Sequence, residues 1–130
     1  MAKENWLPSD TITLPSSGDM SALQFYFVAV TSSGNIIAIE AATNHAIGIL
    51  LNDPDAAGEA ANVMTSPGKI VKMVSDGTTD IAIGDYVGPD ADGKAIKKTA
   101  NEYHGVALEA STGADDGALI GVLYTGKREF

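Results

Sequence analysis

Phe25-Tyr26-Phe27-Val28-Ala29-Val30, then Ser33-Gly34-Asn35, then Ile36-Ile37-Ala38-Ile39-Glu40, reads as two β-strands joined by a tight turn. β-Branched and aromatic residues suit a pleated, half-buried surface. The Gly-Asn pair supplies the positive φ that a short hairpin turn demands. The same grammar recurs along the chain. Further candidate strands are Ala46–Leu51, Asn62–Thr65, Lys69–Val74, Tyr86–Val87, Ala95–Lys98, Gly105–Glu109 and Ala118–Thr125. Turn pairs fall between many of them, including Asp76-Gly77, Asp92-Gly93 and Asp116-Gly117. Short strands at this spacing predict an all-β fold, a small β-barrel or sandwich.

No segment keeps a 3.6-residue apolar period for three turns. Asp55–Ala61 offers at most one helical turn, and Gly58 interrupts it. An internal repeat is visible instead. Tyr26-Phe27-Val28, Gly34-Asn35, Ile47-Gly48-Ile49 and Gly58…Val63…Thr65 match Tyr86-Val87, Gly93-Lys94, His104-Gly105-Val106 and Gly117…Val122…Thr125. The offset is 60 from Tyr26 to Tyr86, and 59 from Gly34 to Gly93 and from Gly58 to Gly117. Two such units read as pseudo-repeated halves of one β core, neither able to bury its apolar face alone.

Residues 1–20 read differently from the β domain expected over residues 21–130. Pro8, Pro15, Ser16, Ser17 and Gly18 break regular structure, and Trp6 and Leu7 stand alone in polar surroundings. The segment is expected to be an extended N-terminal arm. A Trp there either folds back on its own domain or buries itself in a partner, where Trp is enriched. Both readings stand on the sequence. Ile12 and Leu14 add apolar material further along the arm.

Composition narrows the function. The chain has 130 residues, 45% of them hydrophobic, which suits one globular domain. It has no cysteine, so disulfides, thiolate metal sites and a cysteine nucleophile are excluded. Met1–Pro8 lacks an apolar signal core, and the run Phe25–Val30 is far too short to span a bilayer, so a soluble protein with no membrane partner is expected. Net charge is −9, with 17 acidic and 8 basic residues, and the basic pairs Lys97-Lys98 and Lys127-Arg128 are isolated. Phosphate binding needs clustered cations, so no nucleic-acid partner is expected.

Chemistry has little to stand on. His45 and His104 neighbour candidate strands but lack a nucleophile motif, and each reads as a strand-edge histidine. Asp53-Pro54-Asp55…Glu59, Asp90-Ala91-Asp92-Gly93 and Asp115-Asp116-Gly117 lack the ligand spacing of a calcium loop and read as turn chemistry. Phosphate-binding glycine motifs are absent. No catalytic residue, metal site or cofactor is expected, and the chain reads as non-enzymatic.

Three stretches together resemble the tailed-bacteriophage capsid decoration, or cement, protein family. They are Met1-Ala2-Lys3-Glu4-Asn5-Trp6-Leu7-Pro8-Ser9-Asp10-Thr11-Ile12-Thr13-Leu14, then Ile81-Ala82-Ile83-Gly84-Asp85-Tyr86-Val87 with the turn Asp92-Gly93-Lys94, and the closing pair Gly105–Ala110 and Gly117–Leu123. The chain departs from the pattern around Asn52–Ala61, which is longer. The resemblance implies a structural virion protein on the capsid's outer surface, made in the host cytoplasm during assembly. It also implies binding to the major capsid protein lattice as a homo-oligomer, a trimer, with N-terminal arms touching the shell. Trp6, Leu7, Ile12 and Leu14 are then the candidate capsid contacts. A function of another class, a carbohydrate- or cell-surface-binding module on a virion or tail, would need exposed aromatics on one face. Tyr26, Tyr86, Tyr103 and Tyr124 are its candidates.

Overall fold

A computed structural model describes residues 10–40, 45–113 and 117–130. Among them are ten strands and no helix: β1 (Thr11–Pro15), β2 (Phe27–Val30), β3 (Ile36–Ala38), β4 (Gly48–Leu50), β5 (Ala60–Met64), β6 (Ile70–Val74), β7 (Tyr86–Pro89), β8 (Ala95–Lys97), β9 (Glu102–Ala107) and β10 (Leu119–Glu129). They form two antiparallel sheets, ordered β1-β5-β4-β2-β3 and β6-β10-β9-β7-β8. Adding five to each label of the first order gives the second.

The duplication extends to the register. Thr11 faces Met64 and Pro15 faces Ala60; 59 residues on, Ile70 faces Leu123 and Val74 faces Leu119. Val28, Ala29 and Val30 face Ala38, Ile37 and Ile36; Val87, Gly88 and Pro89 face Lys97, Ile96 and Ala95. Only β4 and β9 slip, to an offset of 57, because the loop before them is two residues shorter in the second half. One detail of the sequence alignment changes. Phe27 opposes Ile49 and Tyr86 opposes Val106, so Tyr86 corresponds to Phe27, not to Tyr26.

Lone parallel bridges, Ser16 to Ile36 and Ser75 to Ala95, tie the end of each first strand to the third strand. A single bridge is not a ladder, and neither sheet closes. The fold is therefore a sandwich of two sheets and not a closed barrel.

Each half has an equivalent interior. In the first it comprises Met20, Val28, Ile36, Leu50, Ala61 and Val63. In the second, Ile81, Val87, Ala95, Ala107, Ile120 and Val122 take those places. Full burial of side chains of this kind stabilises by about 1.5–3 kcal/mol each. Met20 and Ile81 cap the two interiors through matching backbone bonds, Met20 N–H to Pro54 O (2.8 Å) and Ile81 N–H to Ser111 O (2.9 Å).

The arm expected over residues 1–20 is corrected by β1 and by Met20. Thr11–Pro15 is a full edge strand on β5, and Ser16 is 1% exposed, donating its hydroxyl to Ala56 O at 2.7 Å. Pro15 does not prevent this, because a proline is tolerated on an edge strand. Ile12 and Leu14 point into the first interior. The folded domain thus begins by residue 11, and Trp6 and Leu7 lie outside the described residues. The helical turn offered for Asp55–Ala61 does not form either. Ala60 and Ala61 open β5, and Gly58 sits in a turn at φ 87°.

The halves are stitched by polar contacts as well as packing. Phe27 N–H donates to Gly93 O at 2.8 Å, and Val74 N–H donates to Phe25 O at 3.2 Å. Tyr124 donates its hydroxyl to Ile47 O at 3.2 Å. Phe25 holds a φ of 68°, unusual for a bulky residue. Its counterpart is Gly84, at φ 90°.

Candidate interaction surface

His104 is 3% exposed, its ring edge-on to Phe27 at 5.4 Å, and its Nδ1 has no hydrogen-bond partner among the described residues. Burial holds its pKa below the ordinary imidazole value; Glu102 opposes that shift weakly, and Lys98 and Lys127 add to it. His104 therefore prefers to be neutral in the fold. Its counterpart is Ile47, a purely packing residue. His104 and the exposed His45 share the wall of a cavity of about 260 Å³ with Ile39, Pro89 and Lys98. Among the described residues no hydroxyl, carboxylate or second imidazole is shown bonded to His104 to make a nucleophile pair.

A stability consequence follows with a definite sign. Because the folded state disfavours the imidazolium, the unfolded chain binds the extra proton first. Stability is full above about pH 6.5 and falls as pH drops below it, levelling at the lower folded pKa. Thermal melts at pH 7.5 and pH 5 should show this loss, and His104→Ile should abolish most of it without lowering stability at pH 7.5.

The acidic clusters are occupied with their own backbones. Asp90 accepts from the N–H groups of Asp92 (2.8 Å) and Lys94 (2.9 Å), and Glu59 accepts from Asp55 N–H at 3.1 Å. Asp85 accepts from Ala82 N–H at 2.8 Å, which with nearby Lys97 lowers its pKa against the opposing effect of burial. Asp19 is lowered by hydrogen bonds from Ser21. Asp115 and Asp116 lie outside the described residues. Among the described residues no three acidic or histidine side chains gather as a metal site.

Apolar surface is unevenly shared. Of the seven large apolar residues described as exposed, Ile70, Ile83, Tyr86, Leu108, Leu119 and Phe130 belong to the second half, and Val30 alone to the first. Two of them join a cluster of three rings: Tyr86 lies 4.4 Å from Tyr103 and 5.3 Å from Phe130, and Tyr103 lies 5.0 Å from Phe130. Contiguous exposed apolar surface marks an interaction site. Sequence reasoning named Tyr86 and Tyr103 only as candidates for a carbohydrate-binding face and missed Phe130, which meets the two tyrosines through the pairing of β10 with β9. Of the four sequence-based capsid-contact candidates, Ile12 and Leu14 are spent on the interior.

The described residues thus form a duplicated β-sandwich that carries an exposed aromatic cluster and several turn carboxylates bonded to their own backbones. A model of the phage cement protein family matches residues 9–122, and the chain belongs to that family, a class of phage virion structural proteins. Among solved structures it is similar to the crystal structure of the head fiber gp8.5 N base in bacteriophage phi29, with a TM-score of 0.61 and 17% identity, over 92% of this chain and 98% of that one. That likeness shows the shared fold. No curated protein matches the chain in sequence.

Proposed function

We propose that this protein decorates the outside of a phage capsid and stabilises it by binding the lattice of the major capsid protein, as a homotrimer. The observation that carries the reading is membership of the cement protein family over residues 9–122. A ligand that binds only the assembled shell stabilises it by mass action. Such a ligand needs adhesive surface, not a pocket. The acidic balance keeps it off nucleic acid before assembly.

Trp6 and Leu7, which precede β1 in the chain, are the proposed shell anchors. A buried Trp anchor costs more than about 2 kcal/mol on truncation, roughly a thirtyfold loss in affinity. Co-sedimentation of the full chain with undecorated capsids should show near-stoichiometric binding, and Trp6→Ala should weaken it about thirtyfold. Binding that Trp6→Ala leaves unchanged moves the contact onto the folded domain. Failure of the full chain to bind removes the proposal. The carbohydrate-binding alternative gains nothing from the tyrosines. Tyr124 is 3% exposed, and Tyr86, Tyr103 and Phe130 meet at 41°, 57° and 89°, which gives no flat platform for a sugar ring.

A further inference from the structure

The contact between the two halves is asymmetric, although the halves are copies. On the first half, the outer side of the sheet presents Phe27, Ala29, Ile39, Ile49 and Met64, all buried under the second half. On the second half, the turn Asp90–Lys94 makes the reach: Gly93 O receives Phe27 N–H, and Gly93 packs on Ile39. If the two halves were related by a twofold axis, the matching turn Thr31–Asn35 would pack on Tyr86 in return. It does not. A Cβ built on Gly34 meets nothing within 4 Å, whereas one on Gly93 lies 2.6 Å from Phe27 O.

The chain therefore ends with one joint made and the two parts of a second joint unused. The unused turn is Thr31-Ser32-Ser33-Gly34-Asn35, built like its partner: Gly34 N–H to Thr31 O at 2.9 Å matches Gly93 N–H to Asp90 O at 3.3 Å, and their φ values are 83° and 91°. The unused face comprises Tyr86, Val106 and Leu123, the counterparts of Phe27, Ile49 and Met64, with the rings of Tyr103 and Phe130 beside Tyr86. The counterparts of Ala29 and Ile39 are Gly88 and Lys98, and there the Lys98 side chain packs on the buried Gly88. Tyr86 on it is 42% exposed.

We propose that copies of this chain associate head to tail, the Thr31–Asn35 turn of one copy seated on the Tyr86–Val106–Leu123 face of the next. The occupant of the apolar face is thus a second copy, because the chain itself shows what covers such a face. Charge agrees. The free turn carries none, whereas the turn already used carries Asp90, Asp92 and Lys94, so the free turn brings no charge of its own to be desolvated against the aromatic face. The second joint is weaker than the first, since Pro15 stands where Val74 donates an N–H across the internal joint. A contact between unlike surfaces makes a ring when the rotation closes. Three copies would place six like halves around that ring. The inference deepens the homo-oligomer part of the function proposed above and is independent of shell binding.

Sedimentation velocity on the full chain without capsids tests it. The wild type should be a closed oligomer at about 100 μM, and Ser33→Arg on the exposed turn or Tyr86→Asp on the face should each weaken association more than tenfold. Mixing those two variants is the decisive step. Each retains one good surface, so the mixture should form a one-to-one heterodimer and nothing larger. A monomeric wild type, an oligomer that Ser33→Arg leaves intact, or a mixture that stays monomeric with both variants folded by thermal melt would each overturn the proposal. Leu123→Asp is the substitute if Tyr86→Asp does not fold.

Discussion

Gly48→Ala should be the most damaging single-methyl change in this chain, costing about 4 kcal/mol or more and lowering the melting temperature by roughly 15 °C. A Cβ at Gly48 would stand 2.2 Å from the carbonyl oxygen of Met64 and 2.8 Å from Val63 Cγ1. The oxygen is backbone in the neighbouring strand, so no rotamer change relieves the clash. Relief requires β4 and β5 to part, which breaks the Ile49–Met64 and Leu50–Val63 pairs. The twin, Gly105, faces Val122 Cγ1 at 2.6 Å and Leu123 O at 2.9 Å. Here part of the obstacle is a side chain, and Gly105→Ala should cost less, about 2–3 kcal/mol, in the range of core overpacking. Gly18, with nothing within 4 Å of a built Cβ, is the control, and Gly18→Ala should change stability by no more than about 1 kcal/mol. Thermal melts of the three variants decide the matter. A Gly48→Ala protein melting within 3 °C of wild type would mean that β4 and β5 do not approach as described.

Much of the fold was legible because it is written twice. The glycine turns at 34 and 93 and at 58 and 117, and the apolar-glycine strands around Gly48 and Gly105, recur in order. Such recurrence identifies a structural unit even where each signal alone is weak. What stayed hidden was hidden for physical reasons. Thr11-Ile12-Thr13-Leu14 alternates with the period of a strand, but Pro15, Ser16, Ser17 and Gly18 suggest a break. The break is real in sequence and harmless in space, because β1 is an edge strand and ends there. Serine at 16 was read as a loop residue, yet it is buried, with Ser75 buried at the matching place. The two positions serve as the bridge points to Ile36 and Ala95.

The outer faces were less legible than the interiors. Residues that pack within a half obey the repeat: Val28 and Val87, Ala61 and Ile120, Val63 and Val122. Outer residues diverged because they meet different neighbours. Phe27 lies under the second half and Tyr86 at the surface, and their hydroxyl difference fits those places, since a tyrosine keeps a polar end for water. Ile47 became His104 where the ring meets Phe27 across the joint. Alternation along a strand assigns a face, but not which sheet covers it.

Deleting residues 1–20 should abolish cooperative folding, contrary to what an arm would give. The deletion removes all of β1 and with it the five-residue ladder on β5. It exposes the edge of β5 and takes away the bridge from Ser16 to Ile36. It also removes Met20, 2% exposed, and the partly buried Ile12 and Leu14 from the first interior. At about 1.5–3 kcal/mol for each fully buried side chain, less for the two partly buried ones, the apolar loss alone reaches several kcal/mol. Against a total stability of about 5–15 kcal/mol for a domain of this kind, that loss and the broken ladder leave little or nothing. Met20→Ala isolates one part and should cost about 2–5 kcal/mol, since it empties a fully buried side chain of that interior. Circular dichroism with a thermal melt is the measurement. A deletion variant that melts cooperatively within 5 °C of the full chain would show that β1 contributes only pairing at the edge. The expected collapse has a practical consequence for the shell experiment: weakened capsid binding by this deletion would report lost folding, and only Trp6→Ala separates anchoring from fold.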